Sequence, residues 1–469
     1  VVRVRRIRIL VGLIVLVAMA SACGARLTDQ QMAAAKRGAG GATTGAAASG
    51  SSTDDTLAAG TGDTTATTAP AATGTGQAAP GSATSASTPA ATGGPCTPKG
   101  GGEKGVTPTE ITIGNVSTIS GPVPGLGETA QAGLKAYVNY INSKGGVCGR
   151  KVKLQLSDDR LDTGTNRAET QRMANQVLGF AGSWSVVDDG GASVLNGTNV
   201  PDVSLALSDQ RIAMPNNFSP NPIDPTSPQS GITPILRYFK QSLGVSKAAL
   251  VWPAQAAARK RAQAFQNDMK AAGIQVVNTS EVAITQTDYT GVATQIKNAG
   301  ADLVLTALEV GGMAKLAQAF KQQNYTPKVP FYGAQSYSKK FIQQAGAAAE
   351  GTTIGIAFDI AEDAPANPSM AAFSQWYART NPGADPDFFA ILSWASADMF
   401  LKAVLQAGPT PTRDLVMAKL KAMTDTDAGG VLAPHVNPAG KKPSPCFMVA
   451  KVQGGKWVRS FPAKGFQCG

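Results

Sequence analysis

Ile111-Thr-Ile-Gly-Asn-Val116, followed by Ser120-Gly121-Pro122, is where this chain declares a fold. The apolar run reads as a strand, and the small residues after it end the strand in a turn. Ala130, Leu134, Tyr137, Val138 and Ile141 then recur with helical spacing and line one stripe of a helix from about Gly127 to Asn142. Gly145-Gly146 stops that helix, and Val152 to Leu156 alternates as the next strand. Strand, helix, strand with short turns is the unit of a parallel sheet covered by helices.

Working outward, the unit repeats. A helix is predicted over Thr165–Leu178, a strand within Gly179–Val187 and another over Asp202–Leu207. A second block runs as strand Ala248–Trp252, helix Ala254–Ala272, strand Ile274–Val277, helix Tyr289–Asn298, strand Asp302–Ala307, helix Gly312–Gln323, strand Val329–Tyr332 and helix Lys339–Ala345. Thr352–Phe358 is one more strand. Phe389–Gln406 is a long apolar helix too late to belong to that block, so the chain is expected to return there to the first lobe. Two blocks of ordinary domain size make two α/β, Rossmann-like lobes with parallel sheets.

Toward the other end, Val1 to Arg8 is cationic, Ile9 to Ala18 is apolar, and Ala20-Ser21-Ala22 precedes Cys23. That order is the grammar of a signal for export. The apolar run falls short of the roughly 20 residues that span a bilayer. The pattern resembles a bacterial lipoprotein signal over residues 1–22 with Cys23 as the lipidated residue, although Ala20 stands where that family has leucine. Plain cleavage or an uncleaved anchor is the alternative, and each exports the chain. From Gly38 to Gly94 only Asp54, Asp55, Leu57, Asp63 and Gln77 interrupt a run of Ala, Gly, Ser, Thr and Pro. Such composition cannot bury enough apolar surface to offset chain entropy, so residues 23–105 are expected to be a flexible tether. As a coil, Gln30 to Cys96 would reach roughly 40–50 Å.

The chain carries 42 basic and 31 acidic residues. Without the four arginines of the signal the excess is 38 against 31, a net of +7 with no dense basic block. A nucleic-acid site would cluster that charge on one element, so none is expected. Beyond the signal no second apolar run reads as long enough to cross a membrane. With Cys23 lipidated, Cys96, Cys148, Cys446 and Cys468 remain. Four cysteines in an exported chain allow three pairings. Cys96 precedes the first strand and Cys148 the second, which a βαβ unit brings to one end of the sheet, so Cys96–Cys148 and Cys446–Cys468 are expected.

Beyond Ile113 and Ser120-Gly-Pro122, the stretches Ala132-Gly-Leu134, Ile141-Asn142, Gly145-Gly-Val147 with Gly149, and Asp158-Asp159 resemble the opening of type I periplasmic solute-binding proteins of ABC importers, in the leucine/isoleucine/valine-binding branch. Asp288-Tyr289-Thr290, Ala301-Asp302-Leu-Val-Leu and Phe331-Tyr-Gly-Ala-Gln335 are similar to its second lobe, and Cys446 to Val452 with Gly454-Gly-Lys-Trp457 to its last strand and hairpin. The resemblance covers about Thr107 to Trp457. It implies two lobes joined by three hinge crossings near Asn217–Asp224, Thr353–Ile360 and Pro434–Cys446. The lobes are then residues 106–220 plus 356–440, and 221–355 plus 441–469. It implies a solute, a branched-chain amino acid or another small polar or amphipathic molecule, clamped between them, no chemistry, no cofactor and no metal, a membrane permease as partner, and a monomer. A ligand-sensing receptor or a surface scaffold of the same fold is the other reading.

Ligands of open α/β sheets sit beyond the carboxyl ends of the strands. That rule nominates Ser120, Trp184, Asp188, Asp189 and Ser208 in the first lobe, and Trp252, Glu309, Gln335 and Tyr337 in the second. The bland alternatives are turn or cap roles for Ser120 and Asp189, and core packing for Trp184 and Trp252. Gln335 falls where the resembled family has a ligand-contacting acid. Val186-Val187-Asp188-Asp189 replaces a hydroxyl-rich turn that holds a ligand carboxylate in the amino-acid branch, and Leu126, Ala256–Ala258 and Glu309 stand in for its aromatic closers. This departure predicts a different small solute, cationic, amide or polyol-like, stacked on Trp184 or Trp252. His435 is the single histidine, and no hydrolase triad or metal motif surrounds it. Asp158, Asp159 and Asp162 could hold a hard cation or cap the next helix. Residue types leave room for a carboxylate-only hydrolase, whose sign would be turnover.

Overall fold

The computed structural model describes residues 96–121 and 127–469. The signal, Cys23, the tether up to residue 95, Pro122 and Leu126 lie outside the described residues. In chain order the elements are β1 (Glu110–Ser117), α1 (Glu128–Ser143), β2 (Lys151–Asp158), α2 (Thr163–Ala174), β3 (Gly179–Ala181), α3 (Asp189–Leu195), β4 (Asp202–Val203) and α4 (Asp209–Ala213). They continue as α5 (Thr233–Leu243), β5 (Lys247–Pro253), α6 (Ala256–Ala271), β6 (Gln275–Val282), α7 (Thr290–Asn298), β7 (Leu303–Thr306), α8 (Val310–Gln322), β8 (Val329–Tyr332), α9 (Lys339–Ala345) and β9 (Thr353–Ile356). The last are α10 (Pro368–Thr380), α11 (Phe388–Gln406), α12 (Arg413–Lys421), β10 (Cys446–Gln453), β11 (Lys456–Phe461) and β12 (Gln467–Cys468).

β2-β1-β3-β4 form one parallel sheet. A second sheet runs β11-β10-β9-β8-β7-β5-β6. Its β6-β5-β7-β8-β9 part is parallel, but β10 is antiparallel to β9 and β11 to β10, so this sheet is mixed rather than parallel throughout. The sense reverses because β10 enters after the chain has left the lobe and come back. β10 also pairs with β12 at Cys446↔Cys468, where a disulfide joins the two. The second disulfide is Cys96–Cys148.

α10 and α11 pack on α1, so the late apolar helix belongs with the first sheet. A Cβ on Gly133 of α1 would come within 2.1 Å of the Ala390 carbonyl of α11, which only glycine permits. Trp394 of α11 meets Tyr137 edge-on at 4.9 Å and stacks on Tyr140 at 5.6 Å. α11 corrects one expectation: its 19 residues are long and apolar enough to cross a bilayer, yet most of them are buried in this lobe.

Four helices, α4, α5, α10 and α12, fall where the sequence reading assigns none. α5 starts with Pro234 in its first turn and ends on Gly244 at φ 64. α10 starts on Pro368, with the Asn367 side chain accepting from Ser369 and Met370 amides. Thr412 caps α12 in the same way. The chain passes between the sheets after α4, after β9 and before β10. These crossings lie side by side: Asp359 and Ala433 amides donate to Val431 and Ala357 carbonyls at 2.9 and 2.8 Å. Lys441 Nζ donates to the Asn217 carbonyl at 2.7 Å.

Candidate functional site

The carboxyl ends of β1, β3 and β4 form the edge of the first lobe. Behind that edge the polar side chains are spent on one another. Asp158 at the end of β2 accepts from the Ile119 and Ser120 amides at 2.9 and 3.1 Å and from the Ser120 hydroxyl. Burial raises its pKa, but these bonds and one from the Arg160 amide outweigh burial and bring it to about 2. Ser120 is exposed, with its turn anchored by this carboxylate. The Ser185 hydroxyl donates to buried Asp159 and accepts from Asn166 at 3.1 Å and the Val187 amide at 3.1 Å. Asp162 caps α2 through the Thr165 amide at 2.7 Å, so Asp158, Asp159 and Asp162 all serve turns and a helix cap. Among the described residues no group of three or more metal-ligating side chains comes together.

Spacing places Asp188 facing the solute. Its carboxylate instead turns inward, accepting from the Leu207 and Ser208 amides at 2.7 and 3.0 Å, and is 2% exposed. Two adjacent loop amides would otherwise lack a protein acceptor, and that need governs its direction. Burial raises the Asp188 pKa, opposed by the nearby Arg211 guanidinium and these bonds. Arg211 itself is clamped by Asp202 at 3.0 and 2.8 Å. Asp189 is exposed as the first residue of α3, and Ser208 caps α4 by accepting from the Arg211 amide at 3.2 Å. Trp184 is buried with its ring 4.3 Å from that of Phe389.

On the second lobe Glu309 caps α8, accepting from the Gly311 amide at 2.6 Å and from the Gly312 amide. Gln335 donates to the Leu308 carbonyl at 3.0 Å. Tyr337 is buried; its hydroxyl donates to Glu362 at 2.7 Å and accepts from the Ala361 amide at 2.8 Å. Burial, reinforced by Glu362, holds that phenol well above its usual range. A buried phenol with both bonds made belongs to the hinge rather than to a ligand. Trp252 is half-buried against the cluster under α5 and α6, and its Nε1 donates to Glu281 at 3.3 Å. A pocket of about 550 Å³ opens beside Glu309, between Ile284–Thr287, Lys315 and Gln344.

The two edges meet. Lys260 of α6 bridges to Asp209 of α4 at 2.6 Å, and the Phe388 amide at the start of α11 donates to the Tyr337 carbonyl at 3.3 Å. Phe388 and Phe389, which spacing did not nominate, therefore lie between the lobes. Phe389 packs on Trp184 and on Phe388, and Phe388 on Phe358 of the hinge strand, with ring centres 4.3, 4.9 and 5.7 Å apart. Asp387 before them caps α11 through the Phe389 and Ala390 amides, both at 3.0 Å, and accepts from Thr129 at 2.9 Å. Burial nevertheless pushes its pKa up to about 6. The signal that could have found them is the acid followed by two aromatics at the head of an apolar helix.

A family-wide sequence profile described as "Periplasmic binding protein" matches residues 110–456. The chain belongs to the periplasmic binding protein family. It is similar to the Leu/Ile/Val-binding protein BraC3 of Rhizobium johnstonii, 25% identical over 328 residues that cover 66% of this chain and 83% of that one. Leu/Ile/Val-binding protein homolog 3 of Brucella melitensis is 26% identical over 370 residues, 74% of this chain and 93% of the other. Among solved structures, a fatty acid ABC transporter substrate-binding protein from Thermomonospora curvata superposes with a TM-score of 0.65 at 16% identity, covering 79% of this chain and 95% of that chain. The branched-chain amino acid transporter substrate binding protein LivJ from Streptococcus pneumoniae, in complex with isoleucine, gives 0.61 at 19% identity, covering 75% and 100%. As a periplasmic binding protein this is an exported solute-binding protein and not an enzyme.

Proposed function

We propose that this periplasmic binding protein captures a small amphipathic solute between its two lobes and delivers it to an ABC-type permease, held near the membrane by a lipid on Cys23. The lobes are residues 106–220 plus 356–440 and 221–355 plus 441–469, and the protein works as a monomer. The observation that carries this reading is the meeting of the two carboxyl edges across the Asp209–Lys260 pair. A solute lodged there adds contacts to both lobes and so favours the closed arrangement; a gap of a few kcal/mol between open and closed is enough for it to decide.

The side chains left over at the edges favour an apolar body on the solute. Val186 and Val187 are half-buried, Leu207 is 38% exposed, and Phe388 and Phe389 are half-buried. The expectation of a cationic solute rested on Asp188, whose carboxylate is committed to the Leu207–Ser208 loop, and it is dropped. A branched-chain amino acid or a short acyl or aromatic acid fits this lining, in keeping with the ligands named for the similar proteins. Ser120, Asp189, Ser208 and Gln335 are the polar contacts nominated for its head group, and Trp184, through Phe389, for its apolar end.

A thermal-shift panel of leucine, isoleucine, valine, short fatty acids, aromatic acids and polyamines tests this. A ligand at a hundred times its dissociation constant adds about 2.7 kcal/mol and raises the melting point by several degrees. A selective shift with an apolar-bodied solute is expected. A shift confined to polyamines or sugars overturns the assignment of the lining.

A further inference from the structure

The two lobes carry opposite charge. Residues 106–220 plus 356–440 hold 14 basic and 19 acidic residues, a net of −5, whereas 221–355 plus 441–469 hold 19 and 7, a net of +12. Ion pairs between lobes follow the same sense: Lys260 and Lys339 of the second lobe meet Asp209 and Asp385 of the first at 2.6 and 2.5 Å.

The surplus gathers at one pole. Strands β5 to β9 are parallel, so their amino ends lie together on the side away from the cleft, and the helices between them finish there. Lys240, Lys270, Lys297 and Lys321 occupy the last turns of α5, α6, α7 and α8. Lys247 begins β5 and Lys328 precedes β8. All six are exposed. Three are fixed by backbone carbonyls: Lys240 donates to Gly273 at 2.6 Å, Lys297 to Gln323 at 2.7 Å and Lys328 to Gly244 at 3.1 Å. Three acids share the pole, and one of them, Asp268 in the last turn of α6, is buried and engaged by Ser230 and Thr233. Asp302 is engaged by Ser246 and Lys328, and Glu350 accepts from the Gly454 amide next to Lys456. A favourable place at a helix C-terminus explains four of the lysines singly. It does not explain Lys247 and Lys328, which sit at a strand start and in a loop.

The same pole is hollow. A depression of about 620 Å³ lies between Gln263, Gln266, Asn267 and Lys270 of α6 and Gly273–Val276. Amide side chains beside two lysines offer hydrogen bonds to phosphate oxygens without an opposing acid.

We propose that this pole is a docking surface for an anionic phospholipid bilayer. A lawn of phosphate headgroups matches charge spread over a whole pole, and each Lys near such a surface adds to the attraction. A protein partner would instead call for an apolar core within the patch. Docked here, the second lobe rests on the membrane with its carboxyl edge, and the cleft, turned away from the lipid.

The test is co-sedimentation of the exported chain from residue 23, carrying Cys23→Ser so that no acyl group contributes. Vesicles of phosphatidylcholine with about 30% phosphatidylglycerol are compared with phosphatidylcholine alone. Binding to the anionic vesicles alone is expected, lost when salt is raised to about 0.3 M. Lys240→Glu with Lys270→Glu should weaken it roughly ten-fold or more. Lys315→Glu with Lys464→Glu, the same change of net charge elsewhere on the lobe, should leave it within about two-fold, and melting curves check that each variant is folded. Equal binding to both vesicles, no binding at low salt, or equal losses in the two double variants overturns the proposal. Displacement by excess soluble glycerol 1-phosphate also overturns it, since that would make the hollow a site for a free phosphate. None of these readouts depends on the transported solute.

Discussion

The carboxyl edge of the first sheet and that of the second are held by different devices. In the first, carboxylates reach between neighbouring loops: buried Asp188 ties the β3 loop to the β4 loop, and half-buried Asp158 ties the end of β2 to the turn after β1. In the second, Glu309 folds back on the helix it begins, while the Gln335 amide ties the β8 loop to the β7 loop at the Leu308 carbonyl. An acid at a strand end is therefore weak evidence for a ligand contact, because loop and helix amides compete for it first. The first edge is cross-linked by carboxylates, whereas the second combines a self-capped helix with a neutral amide tie between loops.

The largest expected effect tests the first edge. Asp202→Ala leaves Arg211, 4% exposed, without its clamp, and should cost about 3–5 kcal/mol in urea unfolding. A loss under about 1 kcal/mol would mean the first edge is no more rigid than the second. Glu309→Ala removes one cap and should cost about 0.5–2 kcal/mol. If it also lowers solute affinity well beyond that, Glu309 is a ligand contact as well as a cap.

Smaller effects sharpen the comparison where the lobes meet. Asp209 and Lys260 are both exposed, so a double-alanine cycle should return about 0.2–1 kcal/mol of coupling that fades with salt. Smallest is a pH dependence. Asp387 has a folded pKa near 6, above its unfolded value, so the folded state holds the extra proton and stability falls as pH rises from about 4 to 6. Asp359, pushed to about 6 chiefly by burial, acts in the same direction, while Asp158, Asp224 and Asp302, near 2, lose stability only as pH falls below about 4. Asp387→Asn should flatten part of the decline between pH 4 and 6 in melting curves; an unchanged slope would remove Asp387 from the account.

Elements with period and punctuation were legible in the sequence. Val329–Tyr332 and Lys339–Ala345 have the bounds their pattern predicts, and the Cys96–Cys148 disulfide follows from where the βαβ unit brings its cysteines, which leaves Cys446 for Cys468. α5, α10 and α12 were not read, although Pro234, Pro368 and Thr412 mark their starts, because each sits between a crossing and a lobe where no strand sets the rhythm.

Apolar periodicity alone determined two α/β lobes, since burying those faces leaves few arrangements. It also located the edges where a solute belongs. The tertiary structure alone decided which polar side chains remain free there, because amides from loops distant in sequence claim Asp188 and Glu362 claims the Tyr337 hydroxyl. It likewise brought Phe389 to Trp184 across some two hundred residues of chain, a contact set by packing that no local pattern encodes.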